Sequence, residues 1–424
     1  MNLSALRIIL VTPWTTQSAI ARVNLSIATE LRERGVSVTV VRSETGSLDR
    51  LEALRSDLPR LRPKDFLKLR PGFDYDMVCY AVGDNWSFHG VAIELLAQKP
   101  GVVLLHDAAL DNLFAGWKHW SGTKIHPSRT QTLTPGTIST VNSAVKTAAY
   151  SFVDWPMSMA TGGVVHADHY LGLAQAACPG PVVKLPLPVA DIDVAPLKNR
   201  QPKDPLRVVT VGHVNSNKLP AEIIRAIGSS EKLRSQCHYS LLGPIDNETS
   251  SKLGNLAESL GVEVRMTGWL DEEHLLREIG LSDCVLCLRY PILEGASMSA
   301  IVGLLSARPT VVCNAGFYAE IPDDLVIKIP ACPDTAAIKG ALETIVDELG
   351  EMAAMATRAR VHALETYTAS TYADGLLDLA EAAIDVSFTV SEARVLHKET
   401  RAWGIDVTDP LFGRLSNVSA DLFS

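Results

Sequence analysis

The chain has 424 residues, 47% hydrophobic and 21% charged, with 48 acidic against 39 basic side chains and a net charge of −9. That length suits two or three domains, and the composition is that of a packed protein and not of a disordered one. The acidic balance argues against general nucleic-acid binding, and no apolar run approaches the roughly 18 residues that cross a bilayer.

In chain order, the first half reads as strands over Arg7–Thr12, Ser37–Arg42, Met77–Val82, Gly101–Leu105 and Met159–Val165. The start carries one basic residue, Arg7, and then Pro13, so it reads as a first strand and not as an export signal. After that strand, Ile20, Val23, Ile27 and Leu31 repeat at helical spacing, with Ser18 placed to cap the start and Gly35 beyond the end. The second half reads as strands over Leu206–Val211, His238–Leu242, Val262–Met266, Asp283–Leu288, Thr310–Cys313 and Leu325–Ile329, with helical segments between them. Continuous apolar strands alternating with helices mean parallel sheets covered on both faces. The expected fold class is therefore α/β: two Rossmann-like, doubly wound domains facing a cleft, over residues 1–190 and 200–365. The boundary falls in the polar, proline-bearing stretch Val189–Pro205, and residues 385–424 remain as a C-terminal extension. Such sheets hold ligands outside the carboxyl ends of their strands, so the crevice between the domains is the default site.

The seven cysteines are odd in number and scattered, which suits reduced thiols in the cytoplasm. Cys284-x-x-Cys287 lies in an apolar strand-like run with no second pair at zinc spacing, so it reads as two small buried residues. Asp74-x-Asp76 and Asp191-x-Asp193 have a spacing that serves metal–diphosphates, but neither falls in a convincing cleft position, and no metal is assigned. Arg50 to Arg70 carries Arg50, Arg55, Arg60, Arg62, Lys64, Lys68 and Arg70 against Glu52, Asp57 and Asp65. Between Asp111 and Asp154 there is no acid, and Trp117, Lys118, His119, Trp120, Lys124, His126 and Arg129 follow one another. Bases interleaved with aromatics suit an anionic lipid surface or an anionic acceptor, and equally a solvated loop and helix.

Chemistry concentrates at three strand ends. The loop Thr12-Pro-Trp-Thr-Thr-Gln-Ser-Ala-Ile-Ala21 runs straight into a helix start, whose unpaired N–H groups can hold an anion or orient a hydroxyl; it has no Gly-x-Gly-x-x-Gly, which weakens a dehydrogenase reading. In Val211-Gly-His-Val-Asn-Ser-Asn-Lys218, Gly212 permits a tight exit from a strand, and Lys218 precedes a helix start where its ammonium could meet a diphosphate; the alternative is a surface lysine. In Cys287-Leu-Arg-Tyr-Pro-Ile-Leu-Glu-Gly-Ala-Ser-Met-Ser299, a strand ends at Arg289, a loop carries Glu294, and Ser297 can cap a helix over Met298–Leu305. A cation, a carboxylate and helix-start amides thus share one sheet edge, able to grip sugar hydroxyls and phosphate oxygens together. His106 ends a buried strand in Leu104-Leu-His-Asp107 and would point into the crevice, although a lone histidine there is more often structural.

The order and spacing of these pieces resemble the bacterial family 4 glycosyltransferases over most of Arg7 to about Ile384. The carriers are Pro13-Trp-Thr-Thr-Gln-Ser-Ala-Ile-Ala21, Gly83-Asp-Asn-Trp-Ser-Phe-His89, Leu105-His-Asp107, Gly212-His-Val-Asn-Ser-Asn-Lys218, Thr267-Gly-Trp-Leu270, and Leu288-Arg-Tyr-Pro291 through Glu294-Gly-Ala-Ser297. The resemblance implies the GT-B fold and a retaining, metal-independent transfer of sugar from a nucleotide-diphosphate donor, with no cofactor beyond that co-substrate. The acceptor would be a glycan, lipid-linked or other glycoconjugate of surface polysaccharide or lipopolysaccharide synthesis. It would sit mainly on the N-terminal domain, and the donor mainly on the C-terminal one. By the resemblance Lys218 stabilises the departing diphosphate, Glu294 touches the donor sugar and His106 hydrogen-bonds that sugar near the reacting carbon. Gly212, His213, Asn215, Arg289, Gly295, Ser297 and Ser299 complete the donor side, and Trp14, Gln17 and Ser18 the acceptor-side loop. The chain departs from the pattern at His213, where an arginine is usual, and at Val302, where a second glutamate is usual; Ser297 or Ser299 would have to compensate. Gln17, Ser18 and Ala19 also stand where glycines are common. The family's last helix crosses back to the N-terminal domain, for which Ser370–Ile384 is the candidate.

Two rival readings stay open. One is a degenerate GT-B binding or scaffold protein, motivated by Val302 and the altered first loop. The other is a nucleotide-sugar epimerase, which would release free sugar without an acceptor. The expected partners are a nucleotide-sugar donor, a glycan or lipid-linked acceptor and, peripherally from the cytoplasmic side, an anionic membrane; no nucleic acid is expected.

Overall fold

The computed structural model describes residues 6–121, 152–197 and 204–403. The N-terminal sheet is built from β1 (Arg7–Thr12), β2 (Ser37–Arg42), β3 (Arg60–Leu61), β4 (Met77–Val82), β5 (Val102–Leu105), β6 (Gly162–Val165) and β7 (Val182–Lys184). The intervening helices are α1 (Ala19–Glu33), α2 (Pro63–Phe66), α3 (Trp86–Leu96), α4 (Asp111–Ser121), α5 (Asp154–Met157) and α6 (Leu171–Ala177). All seven strands are parallel, in the order β3-β2-β1-β4-β5-β6-β7. The reason is visible in the sequence: every residue of β4 and β5 is buried, as a strand covered on both faces requires. Helix α1 covers one face with Val23, Ile27 and Leu31, begins where Ser18 accepts a bond from Ala21 N, and ends before Gly35 at φ +86°. Each such fully buried side chain contributes about 1.5–3 kcal/mol.

The second unit alternates β8 (Leu206–Val211), α7 (Pro220–Gly228), α8 (Glu231–Gln236), β9 (Cys237–Leu242), α9 (Asn247–Leu260), β10 (Val264–Met266), α10 (Glu272–Gly280), β11 (Cys284–Cys287), α11 (Met298–Leu305), β12 (Thr310–Cys313), α12 (Phe317–Glu320) and β13 (Ile327–Ile329). Its six strands are also parallel, in the order β10-β9-β8-β11-β12-β13. Two long helices follow, α13 (Thr335–Thr366), bent at Glu348, and α14 (Ala369–Ala402). In both sheets the strand order reverses beside the first strand, β1 next to β4 and β8 next to β11, which opens a crevice at each carboxyl edge.

Strands β3 and β7 were not expected from the sequence. At two and three residues they are too short to form an apolar run, and β3 is an edge strand carrying the exposed Arg60, which blunts the edge. The basic stretch around β3 is laced by its own acids. Arg62 and Lys68 bind Asp65 at 2.6 and 3.0 Å, while Arg55 lies 3.7 Å from Glu52 and Arg70 3.7 Å from Asp74. Asp76 holds Arg7 and Asp191 holds Arg360, but Asp191 and Asp193 also line the main cleft, contrary to expectation, because the linker between the domains borders it. Cys284 and Cys287 are buried free thiols three residues apart on β11, hence on opposite faces. Of the aromatic and basic stretch, Lys124, His126 and Arg129 lie outside the described residues.

The crossing helix is longer than expected. α14 runs unbroken to Ala402, so residues 385–402 continue it; residues 404–424 lie outside the described residues. It packs Tyr372, Ala373, Leu376 and Ala380 into the N-terminal core. Arg34 of α1 reaches Asp374 at 3.0 Å, and Arg394 donates to Leu96 O and Met159 O at 3.1 and 2.7 Å. The linker is pinned from the other side. Arg308, fully buried, donates to Ala195 O at 2.6 Å, and Arg360 binds Asp191 at 2.9 Å. The domains also meet directly: Ala108 N and Ala109 N donate to Leu293 O, and Gly295 N to His106 O at 2.9 Å. Among the described residues no helix is long and apolar enough to cross a membrane.

Candidate functional site

The two reversed crevices face one main cleft of about 950 Å³. On the C-terminal side, β8 ends at Gly212, whose φ is +89°, and the chain turns through Asn215 to Lys218. Lys218 is 7% exposed and donates to Val211 O at 2.6 Å. The left-handed φ of Gly212 favours glycine, and a Cβ there would stand 2.8 Å from Lys218 Nζ, so a side chain would push the ammonium aside. Burial, and then the neighbouring Arg289, bring the Lys218 pKa down to about 7. Its positive charge is thus held loosely, with no carboxylate bound to it among the described residues.

Arg289 follows β11 and is 6% exposed. It donates to Leu288 O at 2.7 Å and Ser299 Oγ at 3.1 Å, and its Nε lies 3.0 Å from Glu294 Oε1. The same Oε1 accepts the hydroxyl of fully buried Tyr318 at 2.5 Å. Two donors on one oxygen orient the carboxylate and leave Oε2 for a ligand. Ser297 caps α11 by accepting from Ala300 N at 3.3 Å and bonds Ser299 Oγ at 3.1 Å. Cleft-facing Val302 stands one turn beyond Met298 on α11, so this part of the wall is apolar. Lys218, Arg289, Glu294, Gly212, His213, Asn215, Ser297 and Ser299 all line the cleft, as does Gln17 from the opposite domain.

Four expected residues do not reach it, and of these Ser18, whose hydroxyl caps α1, lines a smaller cavity instead. Trp14 is wholly buried in the N-terminal core, because the loop after β1 folds inward there and the Trp14 backbone N–H donates to Glu44 Oε1 at 2.8 Å. Gly295 sits at the domain contact: a Cβ would come 2.2 Å from Tyr170 Oη and 2.8 Å from His106 O, so its absence of a side chain permits close approach of the domains and not of a ligand. His106 is 6% exposed and lines neither cavity; its ring packs 4.9 Å from that of His166, and burial, followed by the charge of His166, lowers its pKa well below the usual value. Its neighbour Asp107 instead reaches a second, smaller cavity with Ser18, Asp84 and His89. Sequence reasoning missed Tyr318, whose only signal is that a buried tyrosine hydroxyl needs a partner. It also missed His89 and Asp107 as cavity residues, although both stand within motifs that carry the resemblance. Among the described residues no cluster of three or more His, Cys, Asp or Glu side chains could hold a metal ion.

Two parallel-sheet α/β domains with opposed crevices define the GT-B class. Residues 191–362, most of the C-terminal domain, match the family model "Glycosyl transferases group 1". Several solved structures share the fold. Sucrose-phosphate synthase from Thermosynechococcus elongatus is 13% identical over 89% of this chain and 98% of its own, with a TM-score of 0.59. Anabaena HepE in complex with UDP and glucose is 13% identical over 88% and 98%, with a TM-score of 0.60. WaaG, a glycosyltransferase involved in lipopolysaccharide biosynthesis, is 16% identical over 90% and 99%, with a TM-score of 0.54. At these identities the likeness is one of fold. No curated protein matches the sequence.

Proposed function

We propose that the protein is a retaining glycosyltransferase that takes a sugar from a nucleoside-diphosphate donor without a metal ion and delivers it to a hydroxyl of a glycan or lipid-linked acceptor. The observation that carries this reading is the meeting of Lys218 and Arg289, both more than nine-tenths buried, on one cleft wall beside the braced Glu294. When the anomeric C–O bond breaks, negative charge develops on the diphosphate. Lys218, Arg289 and the start of α11 meet that charge, each strong donor contributing about 3 kcal/mol in a dry cleft. Glu294 Oε2 takes a sugar hydroxyl, and the proton of the attacking hydroxyl leaves with the diphosphate oxygen. Retention rests on the motif resemblance, and the donor class is supported by the UDP and glucose held by a protein of the same fold.

The site of action is the cytoplasmic face of an anionic membrane, met through the exposed Arg60 and Lys64; reversing both charges should reduce sedimentation with anionic liposomes, and unchanged sedimentation would remove that contact. A second reading, a sugar-nucleotide-binding protein without turnover, draws on Val302 in the cleft wall. The test is a thermal-shift screen of UDP, GDP, ADP and their sugars in chelator, followed by a transfer assay and the anomeric configuration of the product by NMR. Stabilisation with turnover and a retained anomer is expected. Stabilisation without transfer or hydrolysis would favour the second reading, and no response to any nucleotide would reject both.

A further inference from the structure

The smaller cavity, about 260 Å³, lies at the carboxyl ends of β1, β4 and β5 and shares Gln17 and Ala19 with the main cleft. It is more than a group of acids. His89, on α3, is 2% exposed and lines it. Its Nδ1 lies 3.0 Å from Ala81 O, and because a carbonyl only accepts, that nitrogen carries the hydrogen. Nε2 is then a lone pair, and it meets no partner among the described residues. Asp107 places Oδ2 2.7 Å from Asp84 N, and among the described residues its Oδ1 has no hydrogen bond. Both groups close on one spot: a Cβ on Gly83 would stand 2.9 Å from His89 Nε2 and 3.0 Å from Asp107 Oδ2, the oxygen that takes Asp84 N and keeps a second lone pair. The missing side chain keeps that spot open. Asp84 is already engaged by Leu113 N at 2.9 Å and Asn112 at 2.8 Å, so it shapes the wall and leaves recognition to its neighbours.

His89 is buried and Asp107 half-buried, and both turn acceptors without a protein donor towards the cavity, so a ligand that brings donors gains hydrogen bonds there. Among the described residues no lysine or arginine lines the cavity, so a phosphate or carboxylate placed there would meet Asp107 and Asp84 without a cation. Hydroxyl groups satisfy both acceptors, and the space takes a group about the bulk of one sugar ring. Asp107 also pairs through its backbone with Glu294, which sets the cavity beside the donor-sugar end of the main cleft.

We propose that this cavity seats a neutral, hydroxyl-rich ring of the acceptor, whose hydroxyls donate to His89 Nε2 and to the Asp107 carboxylate. The assignment rests on the transferase reading and names the acceptor class for it. Burial lowers the His89 pKa to about 4, which keeps the imidazole neutral, and raises the Asp107 pKa to about 7, so the carboxylate predominates above that pH.

Saturation-transfer NMR with methyl glucoside, methyl mannoside and glucose 6-phosphate, in the presence of saturating UDP or GDP, tests the proposal. His89→Asn keeps a donor for Ala81 O and deletes Nε2; Asp107→Asn keeps the shape and deletes the charge. The neutral glycosides should bind better than the phosphorylated sugar, and either variant should weaken them by about tenfold while nucleotide affinity is unchanged. If His89→Asn lowers the melting temperature, Asp107→Asn carries the test. Preference for glucose 6-phosphate, no signal from any ring, or unchanged signals in a folded variant would overturn the assignment. A wild-type protein that binds no nucleoside diphosphate would instead reject the transferase reading.

Discussion

The two crevices of this molecule have the same architecture and opposite chemistry. Each lies where a parallel sheet reverses its strand order, β1 beside β4 or β8 beside β11. The C-terminal crevice presents two buried cations and one carboxylate braced from behind. The smaller cavity of the N-terminal one presents two carboxylates and a neutral imidazole, with no lysine or arginine on its wall among the described residues. Backbone topology therefore decides where a ligand sits, while a few side chains at the strand ends decide which charge it carries. Between them, Gly295 and the Leu293 carbonyl join the lobes at backbone level, so the two chemistries face each other at close range.

The comparison can be broken at Glu294. Glu294→Gln keeps the volume and removes the charge that faces Arg289 and, in the proposed function, would meet the donor sugar. Turnover should fall by about a hundredfold, with the affinity for the bare nucleoside diphosphate unchanged; equal losses for nucleotide and sugar nucleotide would mean that the residue only holds the loop. A milder change sharpens the same point. Tyr318→Phe deletes one hydroxyl that donates to Glu294 Oε1. Affinity for the sugar nucleotide should drop by about tenfold, while that for the diphosphate alone stays level in calorimetry.

The smallest effect is a pH dependence confined to the cationic crevice. The free Lys218 has a pKa lowered to about 7, first by burial and then by Arg289. A bound diphosphate raises it again, so binding takes up a proton above neutrality. Affinity should be complete below pH 7 and weaken as pH rises through that value, by at most about tenfold per unit. Lys218→Arg, charged throughout, should flatten the profile between pH 7.5 and 9; an unchanged slope would move the titration to another group.

Much of the fold was legible because fully buried parallel strands write themselves as apolar runs: β1, β2, β4, β8 and β12 begin and end where the sequence places them. β3 and β7 were not, because two or three residues carry no period, and α14 overran its expected end because the contacts of Arg394 lie some 235 to 298 residues away in sequence. On the C-terminal wall of the cleft, the placement of Lys218, Arg289, Glu294 and Ser297 was legible because they stand in the loops that follow β8 and β11. Trp14 and His106 also follow strand ends, yet both turn inward, and which way a side chain leaves a loop depends on packing from distant segments such as Glu44 and His166. Tyr318 was hidden for the same reason, since its partner lies 24 residues away across the sheet edge.

The central claim is that two buried side-chain cations hold the diphosphate. Calorimetric titration of UDP and GDP in the presence of chelator, on the wild-type chain and on Lys218→Ala, reads it directly. One of the two nucleotides should bind the wild type without divalent ions and lose about a hundredfold in affinity in the variant, with the melting temperature nearly unchanged. Binding that requires magnesium, or that survives the loss of Lys218 intact, would contradict it.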